Sequence, residues 1–198
     1  MYPESIAKLI ENFKKFPGVG QKSAERMAFS LLENFDDDDY DMFSDSILLA
    51  KNGIRRCKIC NSITDKDVCN ICSDKSRNKK TLVVVENFKD VYTIEKTGNF
   101  DGCYHVLGGL ISPFDGVGPE DLKLDLLFNR IKSDDVEEVI FVVKSGIEAD
   151  TTILYVRKML ENEKVKISKV ANGIPIGADM DYIDSLTLET ALDNRKEI

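Results

Sequence analysis

The stretch TLVVVE occupies positions 81–86 of this 198-residue chain and decides its fold class. A continuous run of aliphatic and β-branched residues is typical of a strand that is buried on both faces of a parallel sheet. Similar apolar runs follow at 104–107 and 139–143, and a weaker alternating pattern follows at 165–170. The sequence therefore predicts four strands in its central and C-terminal part.

Helical segments separate these strands. A helix-like stretch spans 91–96, and apolar residues at helical spacing mark two further helices: Leu124, Leu127, Phe128 and Ile131, then Ile153, Val156 and Leu160. Strands that alternate with helices favour an α/β layer with a mainly parallel sheet.

Three carboxylates closely follow predicted strands. Glu86 ends the first strand, and Glu148 and Asp150 come shortly after the third. Because functional groups gather beyond the C-terminal ends of parallel strands, these acids could converge there and hold a hard cation such as Mg²⁺. Each acid also has a purely structural interpretation: Asp150 as a helix N-cap, and Glu86 as a hydrogen-bond partner of a loop. His105, the only histidine, fits a structural role in its strand better than a role as general base.

Four of the five cysteines form two Cys-x-x-Cys pairs separated by eight residues: Cys57, Cys60, Cys69 and Cys72. Two such pairs can supply four thiolates in a tetrahedron, which suits structural Zn²⁺. A redox pair is the alternative, but it normally occurs singly in a thioredoxin-like βαβ unit. The loop between the pairs has no large apolar set, so metal binding would stabilise it. The fifth cysteine, Cys103, is expected to be a small buried residue.

The N-terminal segment predicts two helices joined by a glycine turn. Ile6, Leu9, Ile10 and Phe13 form one apolar face, and Ala24, Met27, Ala28, Leu31 and Leu32 form another. Between them lies FPGVGQKSA at 16–24. Proline ends the first helix, and Gly18 and Gly20 allow a tight turn. The free N–H groups that open the second helix, together with Lys22 and with Arg26 one turn further on, could bind a phosphate. A plain helical hairpin is the alternative.

Charge and hydropathy exclude several classes of protein. The formal net charge of −8 excludes a uniformly basic nucleic-acid binder, although residues 51–80 carry nine Lys or Arg against three Asp. Those bases overlap the cysteine pairs and could meet phosphates. Residues 33–45 carry seven acids and no base, which predicts a solvated loop. No run approaches the about 18–20 apolar residues of a membrane span, and the N-terminus lacks a signal peptide's apolar core, so we expect a cytoplasmic protein.

Two of these segments resemble known motifs. The 16–24 string resembles the helix-hairpin-helix of DNA repair proteins, which binds the DNA backbone without reading sequence. The three acids resemble the acidic set of the Toprim fold, in which a glutamate assists proton transfer and an Asp-x-Asp pair binds magnesium. Here Glu148-Ala149-Asp150 stands in place of Asp-x-Asp, which weakens the case for catalysis.

The order of these parts resembles the RecR family of bacterial recombination mediators nearly end to end. The resemblance includes the cysteine spacing and the blocks FPGVGQKSAER at 16–26, YHVLGG at 104–109, SPFDGVGP at 112–119 and GIPIGAD at 173–179. It implies an α/β fold in four parts: a helix-hairpin-helix region at 1–54, a zinc finger at 55–78, a Toprim domain at 79–172 and a C-terminal helical segment at 173–198.

The resemblance also implies a function. RecR proteins act without catalysis in recombinational DNA repair, and with RecO and RecF they help load RecA on single-stranded or gapped DNA. They form homodimers and a tetrameric ring that can encircle DNA. By this resemblance Lys22, Arg26, Gly18 and Gly20 would face DNA, and the Toprim acids would contact partners. A ring retains DNA with few phosphate contacts, which suits an acidic chain. A Mg²⁺-dependent nuclease that uses Glu86, and a protein-binding adaptor, are the alternatives.

Overall fold

The computed structural model describes residues 2–171 and 173–195. The chain divides into two compact units, one that ends at Ile54 and one that begins at Arg55. The predicted boundary at residue 172 and the last three positions of the predicted 173–198 segment lie outside the described residues. Within the described ranges, no helix is long and apolar enough to cross a membrane.

The first unit contains three helices: α1 (Glu4–Phe13), α2 (Gln21–Asn34) and α3 (Asp37–Gly53). Helices α1 and α2 pack against each other around Ile10, Ala24 and Ala28, each at most 2% exposed. The predicted apolar face of the second helix is therefore only partly correct. Met27 and Leu32 are 39% and 51% exposed, whereas Ala24, Ala28 and Leu31 of the same predicted face are buried.

The acidic run at 36–39 is exposed, as predicted, but it begins a helix, so the prediction of a loop there is wrong. Asp36 is the N-cap of α3, and its side chain accepts a hydrogen bond from the Asp39 N–H at 2.9 Å. Asp39 accepts in return from the Asp36 N–H at 3.4 Å. Acids in the first turn also interact favourably with the positive end of the helix dipole. The aspartates thus fix where α3 starts.

Helix α3 has no buried residue in its unit. Six large apolar side chains along it are at least one-third exposed: Tyr40, Met42, Phe43, Ile47, Leu48 and Leu49. Tyr40 and Phe43 pack edge-on against Phe35, and these are aromatic contacts local to the start of the helix. The rest of the apolar surface of α3 is uncovered within this unit.

The second unit is built on a four-stranded parallel sheet, as the sequence predicts. Its strands are β3 (Asn78–Val85), β4 (Gly102–Val106), β5 (Glu138–Val142) and β6 (Lys166–Lys169), in the order β4-β3-β5-β6. A small antiparallel pair precedes them, β1 (Arg55–Arg56) and β2 (Ile63–Thr64). The helices are α4 (Asn70–Ser73), α5 (Phe88–Glu95), α6 (Leu124–Ser133), α7 (Ile147–Met159) and α8 (Ser185–Asp193).

Apolar layers cover both faces of the sheet. Leu82 and Val84 of β3 face the core formed with α6 and α7, while Val83 and Val85 face the core formed with α5. This alternation explains why the strand reads as a continuous apolar run. Strand β3 lies centrally, in parallel register with β4 on one side and β5 on the other. Its C-terminal end, and hence Glu86, lies where the strand order reverses.

The C-terminal segment is helical but has little core. A short 3₁₀ turn covers Met180–Tyr182, and α8 is capped by Asp184, whose side chain accepts from the Thr187 N–H at 2.9 Å. No residue of α8 is buried, and Tyr182 and Leu186 are 88% and 72% exposed. The described part of this segment therefore presents apolar side chains to its surroundings.

Candidate metal centre and nucleic-acid interface

The four paired cysteines converge on one point, as predicted. One sulfur from each of Cys57, Cys60, Cys69 and Cys72 lies within 4.8 Å of the others, and all four residues are at most 8% exposed. No other group of three or more His, Cys, Asp or Glu side chains in the described ranges meets this criterion. The donor set and its burial fit structural Zn²⁺, which takes four thiolates in tetrahedral structural sites.

Backbone N–H groups hold the sulfurs in place. The Cys69 N–H donates to Cys57 Sγ at 3.3 Å, and the Cys72 N–H donates to Cys69 Sγ at 3.4 Å. A tight turn brings Cys57 and Cys60 close together, and the Asn61 N–H closes this turn by donating to the Cys57 carbonyl at 3.0 Å. The two N–H···S bonds stabilise negative charge on sulfur and help to orient the ligands in the folded site.

The thiols of the cluster influence one another's ionisation. Hydrogen bonds from Cys60 and Cys72 lower the pKa of Cys69. Hydrogen bonding to Cys69 and Cys72, followed by burial, raises the pKa of Cys60. Cysteine binds a metal as the thiolate, so the cluster would release protons when Zn²⁺ binds.

A buried arginine lies beside the cysteine cluster. Arg130 on α6 is 5% exposed, donates to the Tyr104 carbonyl at 2.6 Å and to Asp134 at 3.3 Å, and lines a cavity of about 270 Å³ with Cys72. Burial raises the pKa of the free Cys103 thiol, and the Arg130 charge offsets part of that rise. Arg130 thus places a positive charge where the thiolates of a zinc site add negative charge.

The glycine turn between α1 and α2 has the predicted geometry. Gly18 has φ of +79°, a conformation that favours glycine. The Val19 N–H donates to the Phe16 carbonyl at 3.1 Å, which closes the turn, and Gly20 is the N-cap of α2. Among the described residues no side chain caps α2, and its first turn contains no acid. Its opening N–H groups are therefore available to an anion, unlike those of α3, where Asp36 caps the helix.

Lys22 and Arg26 lie on the exposed surface of α2 beside this turn and line one shallow groove with Phe29. Within the part of the chain that the structure describes, neither cation forms an ion pair. Lys8 and Lys14 on α1, by contrast, pair with Glu4 and Glu11. Lys22 and Arg26 are thus able to interact with phosphates.

Acidic partners pair with four bases of the stretch at 51–80. Arg55 and Lys58 both pair with Asp67, at 3.7 and 2.6 Å, and Asp67 belongs to the same stretch. Arg77 makes a two-pronged contact with Glu95, and Lys80 pairs with Glu137. Of these acids, Glu95 and Glu137 lie outside the stretch and reduce its local positive charge below the sequence count.

The three predicted acids lie at the C-terminal edge of the sheet, but lysines separate them. Lys144 Nζ lies 4.0 Å from Glu86 and 3.4 Å from Glu148, while Asp150 pairs with Lys169 at 2.9 Å. Asp150 is not an N-cap, because α7 begins at Ile147 and both its acids lie in the first turn. In the described residues the three carboxylates form no compact metal-ligand group.

His105 is fully buried in β4, and its Nε2 lies 3.1 Å from the Lys123 carbonyl oxygen. Its Nδ1 is buried without a hydrogen-bond partner among the residues that the structure describes. This environment fits the structural role expected for His105.

Comparison with known families accounts for almost the whole chain. Residues 6–50 match the RecR helix-hairpin-helix, 54–74 the RecR four-cysteine zinc finger domain, 80–171 the Toprim domain and 173–196 the RecR C-terminal domain. The chain belongs to the RecR family. This set of domains is that of a non-catalytic, DNA-binding recombination mediator.

The sequence did not reveal two residues of this RecR-family chain that shape its sites. Lys144 lies beside Glu86 because β3 and β5 pair in register, with Val85 opposite Val142, and no local pattern shows that contact. Its position four residues before Glu148 was the available signal of the second ion pair. Arg130 looks like an ordinary surface residue of an amphipathic helix. Its position four residues before Asp134 was the available signal of an ion pair.

Proposed function

We propose that this protein acts in recombinational DNA repair as a ring-forming clamp that, with RecO and RecF, loads RecA on single-stranded or gapped DNA. The proposal rests on the RecR-family domains and, above all, on one observation. Lys22 and Arg26, which form no ion pair within the described residues, lie beside an uncapped helix start in the hairpin. We also propose that the chain works in the cytoplasm.

In this proposal the hairpin binds the DNA backbone. Backbone N–H groups from Gly20 to Lys22 would donate to one phosphate, and the charges of Lys22 and Arg26 would attract that phosphate and its neighbour. Such contacts carry no base readout, so binding would be independent of sequence and sensitive to salt.

Uncovered apolar surfaces support the oligomeric part of the proposal. Helix α3 and the segment that contains α8 each expose several large apolar side chains and bury none of their own helical residues. Apolar surfaces of this kind are typical of protein interfaces. Contacts between copies of the chain at these surfaces would build the homodimer or homotetramer ring.

The acids at the sheet edge are assigned to partner contacts. Side chains of Glu148 and Asp150 are 40% and 62% exposed, and Glu86 lies beside them at 21%. We propose that they meet a basic surface of RecO or RecF. In the four-part division at 1–54, 55–78, 79–172 and 173–198, we assign DNA binding and part of assembly to the first segment, structure to the second, partner binding to the third and the rest of assembly to the fourth.

A RecA assembly assay tests this function. RecA-dependent ATP hydrolysis on gapped DNA would be followed with the protein, with RecO and RecF added singly or together. We expect stimulation that falls at least tenfold in the Lys22→Ala/Arg26→Ala variant. The Lys8→Ala/Lys14→Ala variant, which loses the same charge from α1, should stimulate normally. Absence of stimulation under every combination would contradict the proposed role.

A further inference from the structure

We propose that the Lys144 ammonium takes the place of a divalent cation at the acidic edge of the sheet, so that this Toprim domain is complete without magnesium. The Toprim fold implies a metal held by the acids that follow its strands. The donor set of this chain does not fit one, and a side chain of the protein supplies the positive charge instead.

The position of Lys144 follows from the sheet register. Val85 and Val142 are paired across β3 and β5, so the residues that follow these strands meet at one edge. Glu86 comes directly after β3, and Lys144 comes two residues after β5. Lys144 Nζ lies 4.0 Å from Glu86 Oε1 and 3.4 Å from Glu148 Oε2. One ammonium therefore bridges the two carboxylates that a metal would have to share.

The remaining ligands are also engaged. Asp150, the third predicted ligand, is bound by Lys169 of β6 at 2.9 Å. The other oxygen of Glu148 lies 3.2 Å from Ser112 Oγ, which also contacts Asp115 at 2.6 Å. In the described ranges no third carboxylate oxygen joins Glu86 and Glu148 within metal-ligand distance.

An ammonium and Mg²⁺ compete unequally for such a pair of acids. Mg²⁺ needs near-octahedral oxygen ligands at about 2.0–2.1 Å and gives up its water reluctantly. Lys144 is covalently tethered beside the acids, its side chain is 60% exposed, and it lines the same cavity as Glu86. Its ammonium would repel a dication that bound to these acids.

Metal titration of the zinc-loaded full-length protein tests the inference, with Mn²⁺ as a paramagnetic probe and Mg²⁺ as competitor. Lys144→Met removes the charge and should bind Mn²⁺ at least tenfold more tightly than the wild type. Adding Glu86→Gln to Lys144→Met should abolish that gain. Lys144→Arg keeps the charge and should behave as the wild type. Lys166→Met, which removes an equal charge from β6 and frees only Glu138, is the matched control and should also be unchanged.

Three results would overturn the inference. The first is wild-type binding of Mn²⁺ at a site that Glu86→Gln weakens tenfold. The second is a Lys144→Met variant that binds no better than the wild type while retaining its zinc and melting temperature. The third is an equal gain in Lys166→Met, which would assign the effect to overall charge. The test measures metal binding alone, so its outcome is independent of DNA binding and RecA loading.

Discussion

Val106 donates its backbone N–H to the carbonyl oxygen of Cys60 over 2.8 Å. The first cysteine pair is thereby bonded to the end of β4. Asn61 reinforces the junction, because its Nδ2 donates to the Val106 carbonyl at 2.8 Å. The zinc finger is therefore hydrogen-bonded to the sheet, so loss of its metal should also destabilise the end of β4.

Zinc removal should destabilise both the cysteine segment and the end of β4 that is bonded to it. We expect about one zinc per chain, and chelation should unfold residues 57–72, because their cluster has no other large core. Hydrogen exchange should rise at the Cys57–Cys72 amides and at Val106, while β5 amides serve as the internal control. A metal-free protein with native melting temperature and unchanged exchange would contradict the structural role of zinc.

Substitution of Asn61 separates backbone strain from hydrogen bonding at the same junction. Asn61 is 6% exposed and has φ of +58°, in the left-handed region. Asn61→Gly keeps that conformation and loses the Val106 bond, so it should cost about 1 kcal/mol. Asn61→Ala adds backbone strain and should cost about 2–3 kcal/mol in all. Denaturant unfolding of both variants measures the difference, and equal costs would refute the strain contribution.

Because His105 is buried, its protonation should make the stability of the fold depend on pH. Burial, and then the Arg130 charge, lowers the pKa of His105 from 6.5 to about 4. The folded state therefore binds fewer protons than the unfolded state between these values, so stability rises with pH across this range. Above pH 6.5, His105 is neutral in both states and does not lower the free energy of unfolding. As the pH falls to about 4, protonation of His105 in the unfolded state lowers the free energy of unfolding by about 3 kcal/mol.

Comparison with His105→Gln isolates this contribution, since other carboxylates also titrate at low pH. The free energy of unfolding of the variant should vary less between pH 6.5 and about 4 than that of the wild type. Parallel pH profiles would contradict the assignment. His105→Leu serves as a second variant if the glutamine packs poorly.

Much of the fold could be predicted because each strand of the sheet carries its own local signal. Residues 81–85, 104–107 and 139–143 are apolar runs, and the cysteine spacing encodes a metal site. The start of α3 could not be predicted because four consecutive aspartates are typical of an exposed loop, whereas here Asp36 caps a helix. The pairing of Lys144 with Glu86 could not be predicted, since it depends on the register of two strands distant in sequence.

The cap of α3 can be tested directly. Asp36→Ala removes the acceptor of the Asp39 N–H and should destabilise the first unit by about 1 kcal/mol. Asp38→Ala removes an equal charge from the same turn without removing the cap, and should cost only a few tenths of a kcal/mol. Hydrogen exchange along residues 37–53 reports the difference. Equal effects of the two substitutions would show that charge, and not capping, sets the helix start.

The central claim is that the hairpin binds DNA without cutting it. The most direct measurement mixes the protein with gapped DNA and Mg²⁺ and follows both complex formation and strand integrity on gels over a range of salt. We predict intact DNA in a salt-sensitive complex. Lys22→Ala/Arg26→Ala should weaken the complex and reduce the slope of log affinity against log salt by about 2, while Lys8→Ala/Lys14→Ala should bind as the wild type. Unchanged binding by the first variant, or cleavage that Glu86→Gln abolishes, would contradict the account.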